Sequence, residues 1–117
     1  MRLFYIVSKS PACIAVHDIA LKKIKESLSA GHKVQGIFFI NEGAQCASSL
    51  YEEGSVGGKT QSAYILLAKK HDFPLLVCGR AFKTCGFNAS VLKDSYILSG
   101  NTELIIKLND CDEVKEF

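Results

Sequence analysis

Apolar and polar positions along the chain follow two periods, and the switches between them mark the elements. Residues 3–7, LFYIV, form a short, wholly apolar run rich in β-branched and aromatic side chains, the pattern of a strand covered on both faces. After the SKSP turn, Ile14, Val16, Ala20, Ile24 and Leu28 fall mostly four apart, which predicts an amphipathic helix stopping near Gly31. KVQGIFFI (33–40) predicts a second strand, with Gly36 a weak point inside it. A long loop bearing Gly43, Gly54, Gly57 and Gly58 is expected next. TQSAYILLAKKH (60–71) then predicts a helix with Thr60 as N-cap and cations in its last turn.

FPLLVC (73–78) predicts the third strand, followed over residues 80–95 by a short helix and irregular loop. SYILSG (95–100) is a short strand or a turn, and NTELIIKLND (101–110) a short helix that Asn101 or Thr102 can cap. DEVKEF (112–117) predicts a closing strand, its alternation of Val114 with charges suited to a sheet edge. Strands alternating with helices at this spacing imply α/β architecture. The expected fold has three α/β/α layers around a mainly parallel sheet of roughly five strands.

Composition narrows the classes. A chain of 117 residues fits one domain, 1–117, and 48% hydrophobic with 22% charged residues supplies a core and no disorder signature. A net charge of +2, with scattered lysines, gives no footprint for direct nucleic-acid binding. No apolar run approaches the roughly 18 residues of a membrane span. MRLFYIVSKS opens like a truncated signal peptide, but it is brief and has no small-x-small cleavage site, so it reads as the first strand. Five cysteines, an odd number irregularly spaced, argue for reduced thiols in the cytoplasm rather than a secreted disulfide framework.

Parallel α/β sheets place working sites beyond the carboxyl ends of their strands, and that rule sorts the thiols. Cys13 follows the first strand, Cys46 the second, and Cys78 closes the third, so all three are expected on that edge. Cys85 lies nearby or on the next helix, whereas Cys111 precedes the last strand and belongs to the opposite edge. Cys78 is held at a strand end with Gly79 behind it, and a helix starting at residues 79–81 would aim free N–H groups at its sulfur and favour thiolate. Arg80 and Lys83 would add positive charge. The plain alternative stays open: Cys78 as a small buried hydrophobe finishing a strand.

Other arrangements are weaker. A metal site wants C-x-x-C pairs and histidines at ligand spacing, but His17, His32 and His71 are isolated and expected to face solvent. A Cys78–Cys85 disulfide is open on spacing but lacks the C-x-x-C redox arrangement. EGSVGGKTQS imitates a phosphate loop, yet Glu53 stands where the pattern needs glycine, and a surface loop is the expected reading.

Several segments, in order, resemble the DsrE/TusD family of small sulfur-relay proteins. GHKVQGIFFINEG (31–43) is similar to that family's second strand, with paired phenylalanines and the Glu42-Gly43 dipeptide. VCGRAFKTCG (77–86) resembles the segment with a cysteine at a strand end and a glycine eight positions on, here Cys78 and Gly86. YILSG (96–100) resembles the lead into the last helix, and CDEVKEF (111–117) the closing strand. Cys13, Cys46 and Cys85 have no counterpart in the pattern, and residues 44–60 depart from it.

The resemblance implies a DsrE-like fold and a sulfurtransferase that carries sulfane sulfur as a persulfide on Cys78. It implies an upstream persulfide donor fed by a cysteine desulfurase, and a downstream DsrC/TusE-like acceptor. Such relays serve tRNA 2-thiouridine synthesis or dissimilatory sulfur oxidation. It also implies a hexamer, of one chain or of paralogues; thiol exchange suffices for the chemistry, so no metal or organic cofactor is expected. Arg80 is placed beside Cys78 as an electrostatic helper and Cys85 as a resolving thiol, neither backed by the family pattern. The rival readings are a non-catalytic assembly or regulatory subunit of the same fold, and a thiol redox sensor using Cys78 and Cys85. A nucleotide- or flavin-binding module stands further off, on fold analogy alone.

Overall fold

A computed structural model describes residues 1–117. The elements are β1 (Arg2–Val7), α1 (Ile14–Ser29), β2 (Lys33–Phe39), a 3-10 segment (Asn41–Ala47), α2 (Val56–His71), β3 (Leu75–Cys78), α3 (Gly79–Thr84), a 3-10 turn (Ala89–Val91), β4 (Tyr96–Ser99), α4 (Asn101–Asn109) and β5 (Glu113–Glu116). The five strands form one sheet in the order β4-β3-β2-β1-β5, with every pair parallel. The expected α/β class and edge position of the last strand are thus observed.

The faces of this sheet are covered unequally. One face, with α1, α2 and Phe82 of α3 against it, holds an 18-residue buried cluster that includes Tyr5, Ile24, Phe39, Tyr64, Leu75 and Tyr96. The other face buries only Phe4, Ile6, Phe38 and Leu76, under Leu104 and Leu108 of α4. The asymmetry follows from topology. The crossovers through α1 and α2 step the same way along the sheet, and right-handed crossovers then put both helices on one side. The β4-to-β5 crossover runs back across the sheet, so α4 lies alone on the other.

Local chemistry moves several expected boundaries. The helix expected from Thr60 starts at Val56, and its N-cap is Ser55, whose hydroxyl accepts from the Gly58 N–H at 3.1 Å. Val56–Lys59, expected within a surface loop, is therefore the first turn of α2, while Glu53 and Gly54 remain in a turn before it. The two glycines there are required by packing: a Cβ on Gly57 would meet the Tyr51 ring at 2.4 Å, and one on Gly58 the Glu52 carbonyl oxygen at 2.0 Å. Neither Asn101 nor Thr102 caps α4, whose N-cap is Gly100. The buried stripe of α1 runs through His17, Ala20, Ile24 and Ser27, while Ile14 is exposed. Gly36 sits beside the register shift between Leu3 and Phe4, the irregularity its position in the strand suggested.

His17 corrects a further expectation. It is not solvent-facing but fully buried, because every polar atom of its ring is satisfied. Its Nε2–H donates to the carbonyls of Lys9 (3.0 Å) and Ser10 (2.8 Å), which leaves Nδ1 to accept from the Tyr64 hydroxyl at 2.8 Å. The ring thereby fixes the β1–α1 loop to the core. His32 is half-buried with Nδ1 3.1 Å from the Met1 ammonium, and only His71 is freely exposed.

Candidate functional site

The carboxyl edge of the sheet is assembled from the segments after β1, β2 and β3. Two hydrogen bonds tie the first two together, the Gly43 N–H donating to Ser8 O at 3.2 Å and the Ile40 N–H to Val7 O at 2.9 Å. Gly43 has no alternative there, since a Cβ would meet Val7 O at 2.3 Å. The buried amide of Gln61 reaches from α2 to donate to the carbonyls of Cys46 (2.8 Å) and Ser48 (2.6 Å). The 3-10 segment is thus held from below by a side chain whose role the residue pattern of α2 does not announce. Asn41 turns into this segment with φ of 50°, a left-handed conformation that asparagine tolerates.

Between the 3-10 segment and α3 lies a cavity of about 380 Å³ lined by Asn41, Glu42, Cys78, Arg80, Ala81, Thr84 and Cys85. All three candidate site residues, Cys78, Arg80 and Cys85, therefore meet in one place. Cys78 is half-buried, ends β3 and is the N-cap of α3, and packs against the small cluster on the sparsely covered face. Arg80 is exposed and lines the cavity together with Glu42. Lys83 is also exposed but does not line the cavity. A wider depression of about 670 Å³ on the outer surface of α1 is lined by Asp18, Lys22, Lys25 and Glu26 and touches no thiol.

The five thiols are all free and their settings differ sharply. Cys46 is on the expected edge but wholly buried, and burial pushes its thiol far above the ordinary value, so it is no working group. Cys13 is exposed at the start of α1. Cys111 is at the opposite edge, its S–H donating to Leu108 O at 3.3 Å. Cys85 is half-buried and donates to the carbonyl of Asn41 at 3.7 Å. Cys78 and Cys85 stand at the two ends of α3, and seven residues of helical rise separate their Cα atoms by about 10 Å. A disulfide allows at most about 7 Å, so joining them requires α3 to unwind.

The fold and this edge define a small parallel α/β protein that presents one anchored, approachable thiol at the end of its third strand. The chain belongs to the DsrE/DsrF-like family, which matches residues 1–117. It is similar to the sulfurtransferase TusD of Proteus mirabilis (strain HI4320), 30% identical over 104 residues that cover 80% of each chain. In three dimensions it resembles the ychN protein of E. coli, with a TM-score of 0.75 at 12% identity over 100% of this chain and 99% of that one. It also resembles MTH1491, a protein of unknown function from Methanobacterium thermoautotrophicum, with a TM-score of 0.70 at 8% identity over 97% of each chain. These two likenesses carry the fold alone.

Proposed function

We propose that the protein is a sulfurtransferase of a sulfur relay, holding the travelling sulfur as a persulfide on Cys78. The observation that carries this reading is the setting of Cys78: anchored by the sheet, half-buried, and open to a cavity large enough for a donor's persulfide arm. Family membership and the likeness to a relative named as a sulfurtransferase support it.

The chemistry needs only thiols. The Cys78 thiolate attacks the outer sulfur of a donor persulfide, R–S–SH. A new S–S bond forms at Cys78 as the donor's S–S bond breaks, and the donor leaves as R–S⁻. The acceptor's thiolate then attacks the outer sulfur of Cys78–S–SH, and Cys78 departs as thiolate. The sulfane sulfur changes hands with no net oxidation or reduction. Arg80, which lines the cavity, offers a guanidinium to the anionic persulfide. Cys85, at the far end of α3 and lining the same cavity, closes a disulfide with Cys78, expelling the outer sulfur as hydrosulfide, only if α3 opens.

In this reading the donor is a protein persulfide carrier charged by a cysteine desulfurase, and the acceptor is a DsrC/TusE-like protein. The working assembly is a hexamer of this chain or of paralogous chains, for which exposed Ile97, Ile105 and Ile106 provide apolar surface.

Incubation with a cysteine desulfurase and cysteine, followed by intact-mass spectrometry, tests the proposal. The expected result is a reducible gain of one sulfur atom that is lost in Cys78→Ser and kept in Cys85→Ser. No adduct on the native chain would leave the non-catalytic subunit as the better reading. Paired loss of Cys78 and Cys85 thiols under mild oxidant would favour the redox sensor.

A further inference from the structure

Two opposite charges line the Cys78 cavity and are not spent on each other. The ion pairs of the chain join Arg2 to Asp110 and Asp112, and Lys23 to Glu26, which leaves Arg80 and Glu42 without a charged partner. Both are exposed and both line the cavity, Glu42 from the 3-10 segment after β2 and Arg80 from α3. The two walls are held by other bonds. The Cys85 thiol of α3 donates to the Asn41 carbonyl of the 3-10 segment at 3.7 Å, and the Gly43 N–H donates to Ser8 O at 3.2 Å. The fold, rather than their mutual attraction, therefore sets where the two charges stand.

Three features narrow what such a cavity takes. Its volume of about 380 Å³ is near the lower end for small-molecule sites, roughly 300–1,000 Å³, and suits a ligand of amino-acid size. One unpaired guanidinium and one unpaired carboxylate match a zwitterion, the first suited to an α-carboxylate and the second to an α-ammonium. A polyanion such as a nucleotide would meet repulsion from Glu42. The thiol between them requires a sulfur to attack. A free amino acid ending in a persulfide carries all three complements on one small molecule.

We propose that the cavity accepts free cysteine persulfide as a sulfur donor in its own right, with Arg80 receiving its carboxylate and Glu42 its ammonium. This inference deepens the sulfurtransferase reading and rests on it. The Cys78 thiolate attacks the outer sulfur, the S–S bond of the free persulfide breaks as the new one forms at Cys78, and cysteine leaves as its thiolate. The outer sulfur keeps its proton, and nothing is oxidised or reduced overall.

The test loads the full chain, with no protein donor present, from three persulfides. These are cysteine persulfide, the persulfide of 2-aminoethanethiol, which lacks the carboxylate, and that of 3-mercaptopropionate, which lacks the ammonium. Initial rates of sulfur gain at residue 78 are read by peptide mass spectrometry. Each is divided by the rate of the same donor with a free small thiol, which removes differences in leaving-group reactivity. Cysteine persulfide is expected to load about threefold faster than either half-analogue. Arg80→Gln should erase its advantage over the aminoethanethiol donor only, and Glu42→Gln its advantage over the mercaptopropionate donor only. Because Arg80 also serves the persulfide anion, its loss slows all three donors, so the ratios carry the assignment. Equal rates on the native chain, or ratios that neither substitution changes, would overturn the proposal. Sulfur gain from a charged cysteine desulfurase alongside such equal rates rejects this inference and keeps sulfur transfer, whereas no gain from any donor rejects both.

Discussion

Cys46 and Cys78 follow adjacent strands on the same edge of one sheet, yet they inhabit opposite faces. Cys46 belongs to the heavily covered face, packed in the cluster with Phe39, Tyr64 and Tyr96, and has no exposure. Cys78 belongs to the face that α4 covers alone, and it stays half-open. The difference shows that in a parallel sheet the strand end selects the edge, while the helices overhead select which side chains on that edge meet other molecules. A sheet covered equally on both sides would have sealed both thiols.

Labelling gives the largest expected contrast. Under native conditions Cys46 should react only through opening of the core, slower than Cys78 by at least about 10³-fold, and the two should converge in denaturant. Comparable native rates, measured by mass spectrometry of labelled peptides, would remove the contrast. Truncation should follow the same division. Phe39→Ala, in the aromatic group with Tyr64 and Tyr96, is expected to cost about 3–5 kcal/mol, and Leu104→Ala on the thin side about 1 kcal/mol, read from urea unfolding. Equal costs would mean that α4 seals its face more tightly than its half-exposed leucines suggest.

Alkaline sensitivity sharpens the comparison further, since the buried acids all lie on the heavy side. Burial raises Cys46, Tyr64, Tyr96 and Tyr5 above their ordinary values, all four belonging to that cluster. Each stays protonated in the folded chain at a pH where the unfolded chain ionises it, so the folded state binds more protons and stability falls as pH rises. The contribution is intact below about pH 8.5, where an unfolded cysteine begins to ionise, and drops more steeply beyond about pH 10 with the tyrosines. Tyr96→Phe should flatten the steeper part, to a limit of about 1.4 kcal/mol per pH unit, in urea midpoints taken from pH 8 to 11. An unchanged slope would exclude Tyr96 from the effect.

Much of the fold was legible because strands buried in a parallel sheet have little choice of composition. LFYIV, the QGIFF core of β2, and LLVC read as apolar runs, and glycine or proline punctuation separates them. What stayed hidden depended on partners distant in sequence. Gly57 and Gly58 look like loop residues by propensity, but Tyr51 and the Glu52 carbonyl demand them inside α2. His17 looks like a surface residue until Tyr64, 47 positions away, and two loop carbonyls consume its ring nitrogens. At the site, the strand-end rule placed Cys78, but it could not separate Cys46 from it, because the burial of Cys46 depends on Gln61 and the aromatic cluster.

The pairing of β1 with β5, from Leu3↔Glu113 to Ile6↔Glu116, has a consequence for biogenesis. One flank of β1 has no ladder partner until residues more than a hundred positions downstream have left the ribosome. During that interval its amides form an unguarded template for pairing with other nascent chains. The charges of Glu113, Lys115 and Glu116 arrive with the strand that closes the gap, so the same event completes the ladder and leaves a rim that repels further stacking.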